Sequence, residues 1–297
     1  MNQFLPEGRL FRSKKYQADS FTPERLAEAI ETEEILEAPV LRCDPQHNLH
    51  IRLGPFTAFM PREETAIGIQ EGTMKEIAIL SRVGKPTCFV VTGMEGRGGH
   101  WVPILSRRKA QEQALTWLMS LPVGTVIPAT VTHLESFGAF VDVGCGVPSL
   151  IPLGEISMSR IPHPSCRFKV GQEIFAVIKS LLPERSRLML THKELLGTWY
   201  ENALQFQPGE VVTGVVRGVL DYGTFVELAP NLPGLAEVQP GIVDGDHVSV
   251  YIKSILTDQE KIKLQILDRL DPAPRWMPAK YFITEGNVSD WVYHAGH

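Results

Sequence analysis

Short hydrophobic runs, not helical faces, dominate the pattern along this chain. Across residues 122–194 and 207–268, β-branched and aromatic residues recur in brief segments broken by glycine, proline and polar turns, and the 3.6-residue period is missing. In the first stretch the pattern predicts strands at 126–134, 138–143, 150–153, 173–181 and 187–190. Helical spacing appears only between such stretches. Residues 106–119 open on Ser106, a helix cap, and carry Ala110, Ala114, Trp117 and Leu118 on one face. Residues 192–204 form a similar connector with Leu195, Leu196 and Trp199. Thr22-Pro23-Glu24 predicts a short helix to about residue 31, with Thr22 as cap and Pro23 in its first turn. A tryptophan in both connectors suggests that each packs against an adjacent barrel.

The strand-rich stretches are copies of one another. Residues 124–131 match 209–216 at an offset of 85, as Ser136-Phe-Gly-Ala-Phe-Val-Asp-Val143 matches Asp221-Tyr-Gly-Thr-Phe-Val-Glu-Leu228. The offset falls to 74 by Gly171 and Gly245, so the second copy is 11 residues shorter and lacks most of 157–169. A weaker copy lies upstream. Residues 35–44 are a strand candidate, Asn48-Leu-His-Ile-Arg-Leu-Gly54 takes the place of 138–144, and Phe59-Met-Pro-Arg-Glu-Glu64 that of 150–155. Residues 85–93 and 101–105 supply its last strands, with Gly93-Met-Glu-Gly-Arg-Gly-Gly99 between them as a hairpin loop. A phosphate cradle there fails on spacing, since neither G-x-G-x-x-G nor a following Gly-Lys-Ser/Thr is present.

Five strands in about 70 residues suit a small closed barrel, which leaves no sheet edge exposed. The chain thus divides into an N-terminal helical extension (1–33), a degenerate module (34–105), a connector helix (106–121), a full module (122–194), a second connector helix (195–206), a truncated module (207–268) and an aromatic-rich tail (269–297). The tail is expected to fold back onto the last barrel, with partner docking as the alternative.

Composition narrows the function. With 29 Lys and Arg against 34 Asp and Glu, the net charge of −5 means that bulk positive charge does not recruit a partner. No run approaches the roughly 18 apolar residues that span a bilayer, and the first residues carry no secretory signal. The four cysteines are scattered without a C-x-x-C pair, which excludes a zinc ribbon or disulfide scaffold and suits a reducing cytosol. No H-E-x-x-H, G-x-S-x-G or paired-carboxylate motif occurs. Asp244-Gly-Asp246-His247 reads as a tight turn rather than a metal site, and Cys145 and Cys166 as small buried or loop thiols. No catalytic centre, metal or cofactor is expected.

The repeated signature, Ser136-Phe-Gly-Ala-Phe-Val-Asp-Val-Gly144, then Pro-x-Leu-Ile, Phe168-Lys-Val-Gly-Gln172 and Arg187-Leu-Met-Leu-Thr-His-Lys-Glu194, closely resembles the S1 RNA-binding domain. This domain is an OB-fold barrel found in bacterial ribosomal protein S1 and in exoribonucleases. The match spans most of 122–194, holds well over 207–268 and is loose over 34–110. Tandem copies joined by helices look most like the ribosomal S1 family. The resemblance implies an all-β protein of about three tandem five-stranded OB-fold barrels joined by short α-helices.

The resemblance also implies the contact residues. Single-stranded RNA is gripped by stacking bases on aromatic rings beside cations that follow the phosphates. The family's RNA-facing aromatics fall on Phe137 and Phe140, and on Tyr222 and Phe225 in the next module. Three residues apart, such rings point to opposite faces of a regular strand, so a bulge at Gly138 is expected to return them to one side; alternatively, one ring of each pair is core. The family's basic residue before the last strand falls on Arg187 and Lys261, and Lys179 and Lys253 recur on the fourth strand. There are departures. The family's third-strand histidine is Pro152 in one copy and Glu237 in the other, its acidic residue is Pro183 and Thr257, and the first module's aromatic positions hold His47 and His50. That module is therefore expected to dock on protein, such as the small ribosomal subunit. Residues 122–194 carry 7 Lys/Arg and 6 Asp/Glu, whereas 207–268 carry 4 against 9, so the middle module is expected to dominate binding. The expected function is non-catalytic binding of single-stranded RNA, such as messenger RNA, in translation. The alternatives are a protein-interaction adaptor or an accessory subunit of RNA processing or decay.

Overall fold

The computed structural model describes residues 4–13, 21–97, 99–182, 187–272 and 278–294. Two short helices, α1 (Arg9–Arg12) and α2 (Pro23–Thr32), precede the first barrel, and the Thr22 hydroxyl caps α2 by accepting from the Arg25 N–H. The first barrel holds β1 (Leu36–Cys43), β2 (Leu49–Leu53), β3 (Phe56–Met60), a one-turn α3 (Ile77–Leu80), β4 (Pro86–Arg97) and β5 (His100–Ser106). Helix α4 (Arg107–Ser120) follows, capped by Ser106. The second barrel holds β6 (Val126–Glu135), β7 (Gly138–Asp142), β8 (Pro148–Pro152), β9 (Glu173–Leu182) and β10 (Arg187–Thr191). After α5 (Trp199–Ala203), the third holds β11 (Val211–Leu220), β12 (Gly223–Ala229), β13 (Leu232–Ala236), β14 (His247–Leu256) and β15 (Lys261–Arg269).

All three barrels close in the same order. Strands one, two and three form a meander, the fifth inserts between the third and fourth, and its contact with the third is parallel: Phe59 with Ile104, Leu150 with Met189, Leu235 with Lys263. The alternation that predicted strands fills the interiors. In the third barrel Val248, Val250 and Ile252 of β14 meet Ile262, Leu264 and Ile266 of β15, all buried, each contributing about 1.5–3 kcal/mol.

By internal contacts the chain divides into two compact units. One takes Met1–Leu121 with Pro128–Thr130 and Asp142–Ser149, and the other takes the remainder. In the first, the buried Glu7 carboxylate receives both arms of Arg107, at 2.7 and 3.0 Å, and Arg82 at 3.0 Å. Burial alone would raise its pKa, but these two guanidiniums outweigh it and hold the carboxyl below its usual range. Asp142 is equally buried and lies near Glu7, which holds both arginines closely; burial first, then the Glu7 charge, pushes Asp142 up to about 7.

The structure differs from the sequence pattern at three places. The second connector is not one helix over 195–206: a 3₁₀ turn (Lys193–Leu196) stops at Gly197, and α5 starts afresh with a Thr198/Glu201 capping box. Gly197 has φ +80°, and a Cβ there would lie 2.8 Å from the Phe282 ring, so the break is fixed twice over. Of the segment 93–99, residues 93–97 are not an open loop, because β4 and β5 stay paired out to Arg97 and His100, and Gly98 lies outside the described residues. The described tail does not confine itself to the last barrel. Tyr281 packs edge-on to Phe175 and His192, the N–H groups of Val126 and Val288 donate to the carbonyls of Gly286 and Gly124, and Tyr293 donates to the Asn231 carbonyl of the third barrel.

His192 sits at the centre of this strap. A carbonyl only accepts, so Nδ1–H donates to Ile156 at 2.8 Å, leaving Nε2 to accept the Tyr281 hydroxyl at 3.0 Å. Burial depresses its pKa to about 4 from the ordinary 6.5. Between these values the unfolded chain binds a proton that the folded chain refuses. The stability His192 contributes is therefore complete above about 6.5 and lost as pH falls toward 4. In an NMR titration its ring resonances should stay unshifted through pH 6.5 and move only with a midpoint near 4.

Gly138 supports the barrel sterically. A Cβ added there would lie 2.5 Å from the Ile151 carbonyl oxygen of β8. Gly138→Ala should therefore cost about 1–3 kcal/mol in urea unfolding, whereas Gly154→Ala, with nothing within 4 Å, should change little.

Candidate nucleic-acid interface

The β6–β7 connection is a two-residue turn, Ser136–Phe137. Phe137 therefore belongs to the turn rather than the strand, and strand alternation does not govern it. Gly138 instead marks the close approach of β8, and it is this turn that brings Phe137 beside Phe140. The rings meet edge to face at 5.9 Å and 89°, with Phe137 56% exposed and Phe140 half-buried. The third barrel repeats the arrangement. Tyr222, 71% exposed in the Asp221–Tyr222 turn, meets half-buried Phe225 at 6.2 Å and 90°. A Cβ on Gly223 would strike the Leu235 side chain at 2.7 Å. The ladder irregularity in this barrel lies on β11, between Val216 and Gly218, opposite Phe225. Neither pair is sealed inside its barrel. An edge-to-face pair leaves the outer ring with open π-surface, as base stacking requires.

The cations are less alike than the sequence suggests. Lys179 is ion-paired to Glu155, which Lys193 also approaches at 3.1 Å. These lysines hold the Glu155 carboxyl below its usual range despite partial burial. Lys253 meets Glu237 at 3.2 Å. Arg187 opens β10 exposed, and Lys261 does the same on β15. Lys263, which recurrence did not single out, is exposed as well. It lies opposite Leu235, itself opposite Phe225, so two strand spacings place it about 10 Å across the sheet from that ring. At the 74-residue offset the second barrel has Met189 there, so recurrence between the copies does not mark this lysine.

Two acids of the third barrel are paired with arginines away from this surface, whereas Asp221 stands exposed beside Tyr222. Glu227 is buried against Arg217 at 2.9 Å and Arg167, and Asp246 meets Arg269 at 3.1 Å. Asp246 also accepts from the Val243 N–H, closing the turn read from sequence, and among the described residues no cluster could hold a metal ion.

The first barrel's histidines separate. His47 lies in a turn at φ +63° against Glu76, 3.2 Å away. His50 stands on β2 and meets Phe59 of β3 edge to face at 5.6 Å, with Asp44 3.3 Å from its Nε2. Burial would raise Asp44, but hydrogen bonds from Asn48, His50 and the Gln46 backbone hold it at about 2. Phe59 occupies the place of Leu150, which its sequence alignment already implied.

These features define a protein of tandem OB barrels carrying aromatic platforms. Residues 120–193 match the S1 RNA binding domain. The chain is 35% identical over 181 residues to the small ribosomal subunit protein bS1 of Staphylococcus haemolyticus, covering 55% of this chain and 46% of that protein. It is 31% identical over 170 residues to the Bacillus subtilis homolog of that protein, covering 57% and 43%. A solved multidomain protein with nucleic acid binding domains from Streptococcus pneumoniae aligns at 12% identity over 80% of this chain and 74% of that one, with a TM-score of 0.27. The chain thus carries an S1 RNA binding domain at residues 120–193 and is similar over part of its length to the bacterial bS1 proteins. It matches less than half the length of either of these two relatives. Among the described residues no helix is long and apolar enough to cross a membrane.

Proposed function

We propose that this protein binds single-stranded RNA without catalysis and acts in translation, in association with the small ribosomal subunit and hence in the cytoplasm. The exposed Phe137 ring, held edge to face against Phe140 and repeated as Tyr222 against Phe225, carries this reading. Bases stack on these rings, Arg187, Lys261 and Lys263 face the phosphates, and Lys179 and Lys253 lend less because each already has a carboxylate. Stacking reads no sequence, so the surface suits messenger RNA of varied composition. The relatives named as small-subunit proteins support the ribosomal setting.

Each ring should contribute about 1–3 kcal/mol per stacked base, or about 5- to 150-fold in affinity. The Phe137→Ala/Phe140→Ala double variant should therefore bind an unstructured RNA far more weakly in an electrophoretic titration. Unchanged affinity in a folded variant would remove the assigned surface. Capture of a protein partner that resists nuclease and carries no RNA would favour the adaptor instead.

The cations are separated by salt dependence. Arg187→Ala should flatten the plot of log affinity against log salt by about 0.7, the increment for one phosphate contact on a single strand. Lys179→Ala should change that slope less.

A further inference from the structure

We infer that the third barrel carries a docking surface for a basic segment of another protein, formed where the connection between β13 and β14 runs along the end of β15. Such a surface is additional to the RNA platforms and does not depend on them.

Two polar ties build it. The Gln239 side-chain amide donates to the Ile266 carbonyl at 2.9 Å, which lays the start of the connection on β15. At the far end Asp246 accepts from the Val243 N–H at 2.9 Å and meets Arg269 at 3.1 Å. Beside these ties Val238, Val243 and Leu267 stand exposed, Val243 the most at 56%. Ile242 takes the inward place, packed on the barrel core, which leaves Val243 in water. Leu267 is a bulge residue: Ser249 pairs with Asp268 and Val250 with Ile266, so the ladder passes over it. Folding therefore brings three aliphatic side chains to one end of the barrel without burying them.

The corresponding place in the second barrel is already an interface. Leu153 aligns with Val238 and Lys169 with Val243, at the offsets of 85 and 74. The segment between them holds the third barrel, Met158 through Asn231 and Arg167 through Glu227. In the third barrel this segment is 11 residues shorter, and what it presents is aliphatic.

Charge selects the occupant. Residues 237–247 and 264–270 hold four acids against one arginine. Asp246 is paired with that arginine, but the other three stand exposed, each next in the chain to one of the aliphatic residues: Glu237 to Val238, Asp244 to Val243, Asp268 to Leu267. Glu237 keeps 87% of its side chain exposed even with Lys253 3.2 Å away. Lys261 and Lys263 open β15, away from this end. An acidic rim repels the phosphates of RNA and of lipid alike, and aliphatic groups offer a base no π-face. It also repels a second copy, since a two-fold contact would set the same acids against each other. Three aliphatic groups fall well short of the roughly 20–30 residues a side of a standard interface. They suit instead a single segment with one or two apolar anchors among lysines or arginines, whose charge complements the rim.

The test uses the full chain with its valine and leucine methyl groups labelled for NMR. The probe is a synthetic amphipathic peptide with leucines on one helical face and lysines on the other. This peptide should shift the methyl signals of Val238, Val243 and Leu267, and its glutamate counterpart should shift none of them. In Val243→Ser/Leu267→Ser, which alters only exposed side chains, affinity for the lysine peptide should fall about tenfold or more, as expected for two lost apolar anchors. Asp244→Lys/Asp268→Lys should reverse the preference, admitting the glutamate peptide and rejecting the lysine one. A uridine homopolymer should leave the Val243 and Leu267 methyls of the wild type unmoved. The inference is overturned if the lysine peptide shifts methyls elsewhere and not these, if both variants bind it as the wild type does, or if the homopolymer moves these methyls.

Discussion

One steric constraint organises the candidate interface. At Gly138 and Gly223 the neighbouring strand approaches so closely that a backbone carbonyl or a leucine side chain fills the space a Cβ would need. The second strand of these two barrels must therefore begin on glycine, and the aromatic residue before it is left in the turn rather than the ladder. A side chain in a two-residue turn cannot be drawn inward by strand alternation. Phe137 and Tyr222 consequently stand in solvent, each braced by the ring three residues on. The barrel's own closure thus enforces the exposure of these rings.

Electrostatics act on a smaller scale than net charge implies. The −5 of the chain would repel phosphate if it were spread evenly. It is not: Glu7 and Glu227 are each enclosed by two arginines, and Asp246 is bonded to Arg269. At the platforms, exposed Glu135 and Asp221 stand beside a set of cations of unequal availability. A lysine with a carboxylate partner must give up that pairing to meet a phosphate, whereas Arg187, Lys261 and Lys263 stand exposed at the starts of their strands.

The repeat made most of the fold legible before any coordinate. Strands whose interior positions alternate, as in Lys261–Arg269, announce themselves, and the glycine before each aromatic strand recurs in register. The site was legible where copies agree and obscure where they differ. Lys263 has no counterpart but Met189, and the acids that occupy the two fourth-strand lysines, Glu155 and Glu237, come from non-equivalent positions. The β4–β5 ribbon was hidden for another reason. Glycine-rich sequence reads as loop because glycine has poor strand propensity, yet the hydrogen-bonded ladder with β5 holds the segment paired to Arg97. Gly197 ended the second connector early because the tail's Phe282 occupies the place of its side chain, a contact between residues far apart in sequence.

The 11 residues that distinguish the second barrel from the third have a physical role beyond spacing. The segment they enlarge reaches to the neighbouring module: the Ser159 N–H donates to the Pro230 carbonyl, the Met158 N–H to the Asn231 side chain at 2.9 Å, and Arg167 to buried Glu227. Asn231 spends its amide on the Lys193 and Gly197 carbonyls, at 2.8 and 2.7 Å, so one buried side chain fixes both the insertion and the connector. Tyr293 of the tail closes on the same residue from its carbonyl. Three segments distant in sequence thus converge on Asn231, and none can shift without leaving a buried polar group unpaired, at about 1–3 kcal/mol each. These buried polar contacts act beside the apolar packing of Trp199 and Ala203 on the third barrel's core to set how the two barrels meet.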